Sequence, residues 1–163
     1  MAFCLLLERL APLWRTTTIP ALADRLNIVA EFAAEVRAFG PANFLYADGD
    51  ALFAHGHRRM QGDGTIAPPG LWLLQRECSV DPDGLPQSGV TVEAGGDGQK
   101  IVLLASVPLS SERWRPLAEG EVIVVKDGRI VVSRLSPQRQ QALLPEGNQC
   151  AAPLHEPVQS AAT

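Results

Sequence analysis

Two Asp-Gly pairs, each enclosed by short runs of strand-forming residues, do most to limit what this chain can fold into. The first, Asp48-Gly49, lies between Asn43-Phe44-Leu45-Tyr46-Ala47 and Asp50-Ala51-Leu52-Phe53-Ala54-His55. The second, Asp127-Gly128, follows Glu121-Val122-Ile123-Val124-Val125-Lys126 and precedes Arg129-Ile130-Val131-Val132. A tight hairpin turn that matches the twist of its strands needs a positive φ, which glycine adopts freely and aspartate tolerates. Each pair therefore predicts two antiparallel strands joined by a two-residue turn.

The rest of the chain is read around these hairpins. Ala2-Phe3-Cys4-Leu5-Leu6-Leu7-Glu8-Arg9-Leu10 reads as a helix, with no Ser, Thr, Asp or Asn before it to satisfy the first free amides, so a segment upstream is expected. Pro12 and Thr16-Thr17-Thr18 interrupt the pattern, and Thr18-Ile19-Pro20 predicts a second helix with Thr18 as its cap. Leu22, Leu26, Val29, Ala33 and Val36 recur at helical spacing, Asp24, Arg25, Glu31, Glu35 and Arg37 fall mostly between them, and Gly40-Pro41 ends the helix. Further strands are expected at Leu71–Leu74, Val90–Val92 and Lys100–Ala105, the last two flanking Gly95-Gly96-Asp97-Gly98. Two helices followed by about six mainly antiparallel strands give an α+β class with helices on one sheet face. Residues 1–135 are expected to form the domain and 136–163 a flexible Pro/Gln/Ala-rich tail.

Of the 163 residues 46% are hydrophobic and 20% charged, which suits a globular domain. No apolar run approaches the roughly 18 residues of a spanning helix. The N-terminal stretch has neither a basic flank nor a small-residue cleavage site, so a cytoplasmic location is expected. A net charge of -4, with Arg58-Arg59 the densest basic point, offers no footprint for nucleic acid. Cys4, Cys78 and Cys150 are odd in number and widely spaced, which suggests neither a disulfide framework nor a zinc site. Cys4 reads as a buried helix residue.

Few residues invite chemistry. His55-Gly56-His57 sets two imidazoles on one strand face, a pair that could hold a metal. No third ligand is near in sequence and Arg58-Arg59 would repel a cation, so solvent-facing or hydrogen-bonded histidines are the plainer reading. Gly62-Asp63-Gly64 and Gly95–Gly98 lack the helix start and Lys-Ser/Thr of a phosphate loop and read as turns. Ser106, Ser110, Ser111 and Cys78 stand in no informative spacing to a base. The residues alone assign no catalytic group, no substrate-binding group, no metal and no cofactor.

Three blocks in order resemble a known family. Ala2-Phe3-Cys4 with Leu5–Leu10, then Asn43–Gly49 with Leu52-Phe53-Ala54-His55, then Ala105-Ser106-Val107-Pro108-Leu109-Ser110 with Glu112, Trp114 and Gly120-Glu121, resemble the second half of the stand-alone bacterial class II glutamine amidotransferases over residues 2–132. The resemblance implies an N-terminal-nucleophile hydrolase fold, an αββα sandwich of two antiparallel sheets between helical layers, and release of ammonia from the glutamine amide. It implies a first-residue cysteine whose own α-amino group is the base, an Arg for the substrate carboxylate, an Asn-Gly oxyanion hole and an Asp-Ser/Thr-Glu motif for the substrate amine. None of these falls on this chain, because the motif nearest to it precedes the helix that begins at Ala2. Cys4 aligns with a helix-interior position and has no free α-amino group, so it is not expected to be the nucleophile. The segment from Gly56 to Val90, with Pro68-Pro69, departs from the family pattern. The expectation is a truncated C-terminal portion, inactive alone and dependent on an N-terminal half or on self-association, with glutamine a ligand only of the complete domain. The alternatives are a non-catalytic interaction half-domain, a hydrolase of another γ-glutamyl compound, or a small metal-binding protein using His55 and His57.

Overall fold

A computed structural model describes residues 2–78 and 99–135. Helices α1 (Ala2–Leu10) and α2 (Leu22–Val36) precede nine strands: β1 (Phe44–Ala47), β2 (Leu52–Gly56), β3 (Arg59–Met60), β4 (Ile66–Ala67), β5 (Trp72–Cys78), β6 (Gln99–Ala105), β7 (Arg115–Pro116), β8 (Glu121–Lys126) and β9 (Arg129–Arg134). Short 3₁₀ turns follow the helices, at Ala11–Trp14 and Arg37–Phe39.

Both predicted hairpins form, and they join into one sheet of order β1-β2-β8-β9 in which every neighbour is antiparallel. Alternation along β2 sorts its side chains: Phe53 joins the helix-side core while Ala54 joins the core on the other face. The helix-side core contains Leu6, Leu10, Leu26, Val29, Phe32 and Ala33 against Tyr46, Phe53, Val122 and Val124. On the opposite face Ala54, Ile123 and Val125 pack against Leu73 of the second sheet, whose order is β6-β5-β7, and against Leu117, which follows β7. The described layers are therefore helices, sheet, sheet. Covering on both faces explains why β8 is an unbroken apolar run from Val122 to Val125 rather than an alternating one. The two sheets approach closely at Gly56, where a Cβ would lie 2.8 Å from that of Leu117.

Several expectations need correction. Thr18 does not cap α2: its hydroxyl bonds to that of Thr16 at 3.0 Å. The helix instead starts from Ala21, whose carbonyl receives the amides of Asp24 and Arg25 at 3.2 and 3.3 Å. The first turn is centred on Gly49-Asp50, one residue later than expected, because the Asp48 amide donates to the Ala51 carbonyl at 3.2 Å. The second matches its prediction, with φ of 50° at Asp127 and 68° at Gly128. The strand expected at Leu71–Leu74 extends over Trp72–Cys78 and pairs along its length with β6. Strands β3, β4 and β7 have two residues each, too few to show a period, and so exceed the predicted six. Cys4 is exposed, not buried: α1 buries Leu6 and Leu10, and a residue two before Leu6 lies about 200° around the helix from it. The strand expected at Val90–Val92, the Gly95–Gly98 turn and the tail 136–163 lie outside the described residues. No described helix is long and apolar enough to cross a membrane.

Candidate functional site

The histidine pair sits where β2 leaves the sheet. His55 is fully buried and His57 is 8% exposed, so of the two plainer readings, solvent-facing or hydrogen-bonded, the hydrogen-bonded one holds for His55. Helix-side alternation carries His55 beyond Phe53 and places its ring 5.3 Å from that of Phe44, across the β1–β2 ladder. The His57 ring stacks on it at 6.4 Å with 20° between planes. His55 Nδ1 lies 3.1 Å from the Glu121 carbonyl. A carbonyl only accepts, so this geometry assigns the proton to Nδ1 and leaves Nε2 with a lone pair and no partner.

His57 is held by its main chain. Its amide donates to Asn43 Oδ1 at 2.7 Å, and Asn43 Nδ2 donates to the Arg58 carbonyl at 2.8 Å. Asn43 fits there because residue 70 is glycine: a Cβ on Gly70 would fall 1.8 Å from Asn43 Oδ1. Glu119 faces the outer edge, with Oε1 at 3.5 Å from His57 Nε2 and 2.6 Å from Arg58 Nε. The Gly40 backbone also reaches the His57 ring.

Burial pushes His55 down to about 4; the Glu121 carbonyl opposes this, and the positive charge of Arg37 and the neighbouring His57 add to it. Burial also lowers His57, against the pull of Glu119 and of the Gly40 backbone. Arg37 donates from Nε to the Ala33 carbonyl at 3.2 Å, the ordinary place for a cation at a helix C-terminus. The positive charge of Arg37 acting on both rings disfavours a further cation there. No group of three or more His, Cys, Asp or Glu among the described residues is placed to hold one.

The other candidates are distributed rather than assembled. Cys4 is a free thiol on α1, without a hydrogen bond among the described residues. Ser110 is engaged structurally, donating to Glu112 at 2.7 Å and accepting from Trp114 Nε1 at 3.1 Å. Gly62-Asp63-Gly64 is a turn, as expected: Asp63 Oδ1 accepts from the Thr65 amide at 2.9 Å and its hydroxyl at 2.7 Å. The side chain of Cys78 lies outside the described residues. An open groove of about 400 Å³ beside Arg76, Glu77, Lys100 and Arg129 is polar, and its Lys100 pairs with Glu77 while Arg76 pairs with Glu112.

Two buried ionic clusters escaped the sequence reading. Arg25, 2% exposed, donates to Asp48 at 2.7 Å and Asp50 at 2.8 Å beneath the first turn, and Lys126 reaches Asp50 at 2.6 Å. Arg25 is not a solvent-face residue: it stands three after Leu22 and four before Val29, squarely on the apolar stripe, and that spacing was the available signal. On the other sheet face Glu121 accepts from Arg115 at 3.0 and 3.1 Å, from the Ala118 amide at 2.7 Å and from Ser133 at 2.8 Å. Burial opposes its charge, but Arg115 and these other donors outweigh that and hold its carboxyl below the usual range. With its acceptors filled, Glu121 is a clasp rather than a free acid.

Comparison with known proteins places this arrangement. The chain is similar to the 2.0 Å crystal structure of a predicted glutamine amidotransferase from Pseudomonas aeruginosa PA01, with a TM-score of 0.61 and 21% identity over 80% of this chain and 48% of that one. At that identity the likeness concerns the fold, and the chain spans about half the length of that structure. No curated protein matches it. The sequence model of the class-II glutamine amidotransferases matches residues 1–149, which include every described element. The chain belongs to the class-II glutamine amidotransferases.

Proposed function

We propose that the complete protein releases ammonia from the side-chain amide of glutamine, and that residues 1–135 supply a scaffold for that site without its reacting groups. The observation that carries this reading is the family match over residues 1–149, and Cys4, the free cysteine of the described segment, stands inside α1 without a hydrogen bond among the described residues. The two-sheet layering supports it as well, since the fold resembles about half of a solved member. On this reading the cysteine with its own amine as base, the oxyanion donors and the carboxylate-binding arginine belong to the other half.

Incubating the purified chain with glutamine and measuring ammonia tests the proposal. No turnover is expected from residues 1–163, and turnover is expected from a protein that carries both halves. Hydrolysis by the chain alone, lost in Cys4→Ala, would overturn it. A panel of other γ-glutamyl compounds tests the substrate, with glutamine expected to be turned over fastest.

A second reading, an interaction half-domain that pairs with a separate N-terminal half or with itself, is favoured by the apolar outer face of α1. Phe3 is 50% exposed there, with Leu5 and Leu7 exposed to a similar degree. Co-expression separates the two readings: a stable complex that never turns over glutamine supports the second.

A further inference from the structure

The two edges of the helix-side sheet are built differently. At one edge β9 carries Arg129 and Arg134 at its ends, and charged side chains are the usual guard of an open edge against a further strand. At the other edge β1 reads Phe44-Leu45-Tyr46-Ala47, with no charge and no proline. Its main chain is open as well. The Asp48 amide donates to the Ala51 carbonyl, which makes Asp48 and Ala51 a hydrogen-bonded pair. Such pairs alternate along an antiparallel ladder, so Tyr46 with Phe53 and Phe44 with His55 bond inward, while the amides and carbonyls of Leu45 and Ala47 point away from β2. Both residues are exposed, and among the described residues no strand lies beyond them.

Apolar surface lies above and below that row of unpaired groups. On the helix side the Phe3 ring sits 6.3 Å from that of Tyr46, and Phe3 is 50% exposed. Leu7, one turn further along the same stripe of α1, is exposed too. On the face toward the second sheet Ala54 is completely buried, yet its cross-strand neighbour Leu45 is 48% exposed. The second sheet therefore covers β2 and stops short of β1. Whatever completes this edge has to supply three things together: a cover for Phe3, a strand that bonds Leu45 and Ala47, and an apolar layer beneath Leu45.

We propose that β1 is a seam, at which a strand of the other half of the amidotransferase domain adds to the sheet while the rest of that half covers Phe3 above and Leu45 below. The seam gives the two-half reading its contact surface and rests on that reading. Its occupant is domain-sized because three layers need cover at once. The solved structure that this chain resembles supplies such a body, since the chain spans 48% of it. Residues 136–163 do not meet the need: Pro137, Pro145, Pro153 and Pro157 interrupt their apolar runs. A second copy paired antiparallel through the same edge brings the same gap beneath its own β1 and leaves both Leu45 side chains uncovered.

Hydrogen exchange on the full chain 1–163 tests the open edge. The amides of Leu45 and Ala47 are expected to exchange on the order of 100-fold faster than those of Phe44 and Tyr46. Protection of all four in the monomer, or protection gained only in a concentration-dependent dimer, would give the edge to the chain itself or to a second copy and overturn the seam. Joining the half of the Pseudomonas aeruginosa structure outside the match upstream of residue 1 tests the occupant, and should bring Leu45 and Ala47 to the protection of their neighbours. Glutamine turnover by that fusion with both amides still unprotected overturns the seam and leaves the proposed activity standing; protected amides without turnover do the reverse. Should the fusion fail to fold, the exchange pattern of 1–163 decides. Should 1–163 aggregate, Leu45→Lys decides: a charge on the open edge is expected to raise its soluble yield several-fold, and no gain would overturn the seam.

Discussion

The two Asp-Gly turns carry the same dipeptide and depend on opposite members of it. At Asp127-Gly128 the glycine is indispensable: φ is 68°, and a Cβ would lie 1.9 Å from the Lys100 carbonyl oxygen. The neighbouring aspartate is exposed and contributes mainly its tolerance of a φ of 50°. At Asp48-Gly49 a Cβ on the glycine would meet nothing within 4 Å. There the aspartate is indispensable. Its Oδ1 accepts from the Asp50 and Ala51 amides at 3.0 and 2.9 Å, while Oδ2 takes the buried guanidinium of Arg25 at 2.7 Å. One turn is defined by close approach to the second sheet, the other by an ion anchored in the helical layer.

The comparison is tested most severely at Asp48. Asp48→Ala removes one of the two carboxylates from a buried arginine and frees two turn amides, which should cost about 3 to 5 kcal/mol in urea unfolding of the full-length protein. Asp127→Asn should change stability by no more than about 0.5 kcal/mol. Equal effects at the two sites would erase the distinction.

The glycines should rank in the opposite sense. Gly128→Ala is expected to cost about 3 kcal/mol, from the clash with Lys100 and the positive φ together. Gly49→Ala has only its φ of 91° to resist it and should cost about 1 to 2 kcal/mol. Unfolding curves of the two variants measure the gap.

Acid gives the smallest effect on the first turn. Hydrogen bonds from Lys126 and Arg25 hold the Asp50 carboxyl below the usual carboxylate range. A lowered carboxylate contributes stability above its unfolded value of about 3.8, lost only as pH falls below that. The stability contributed by Asp50, read as the cost of Asp50→Asn in urea unfolding, should therefore be the same at pH 5 as at pH 7. A cost that falls between pH 7 and pH 5 would mean that the Asp50 carboxyl is not held below the usual range.

How much of this was legible varied with the range of the interaction. The hairpin at Asp127-Gly128 was readable because a two-residue turn is specified by its own φ angles. The shift of the first turn by one residue was not, since it is fixed by Arg25, more than twenty residues away and on another element. The shared face of His55 and His57 followed from strand period, but their burial did not, because Glu119 and Glu121 meet them from a distant part of the chain. Cys4 went the other way, into solvent, because an all-apolar helix does not declare which face will find a partner. The absence of an assigned nucleophile rested on the resemblance, which located the reacting groups outside these residues.

By itself the sequence determined the order of elements, the antiparallel hairpins, the helix–sheet class and the family, all of which rest on local periodicity, turn chemistry or the order of short blocks. Tertiary structure alone decided that Arg25 and Glu121 are buried against ionic partners, that two histidines are buried and stacked, and that the same dipeptide serves through its glycine once and its aspartate once. The physical reason is that burial and charge state depend on what packs from elsewhere. A residue's own neighbours in sequence carry its backbone preference but not the dielectric, the partners or the clearance it will meet.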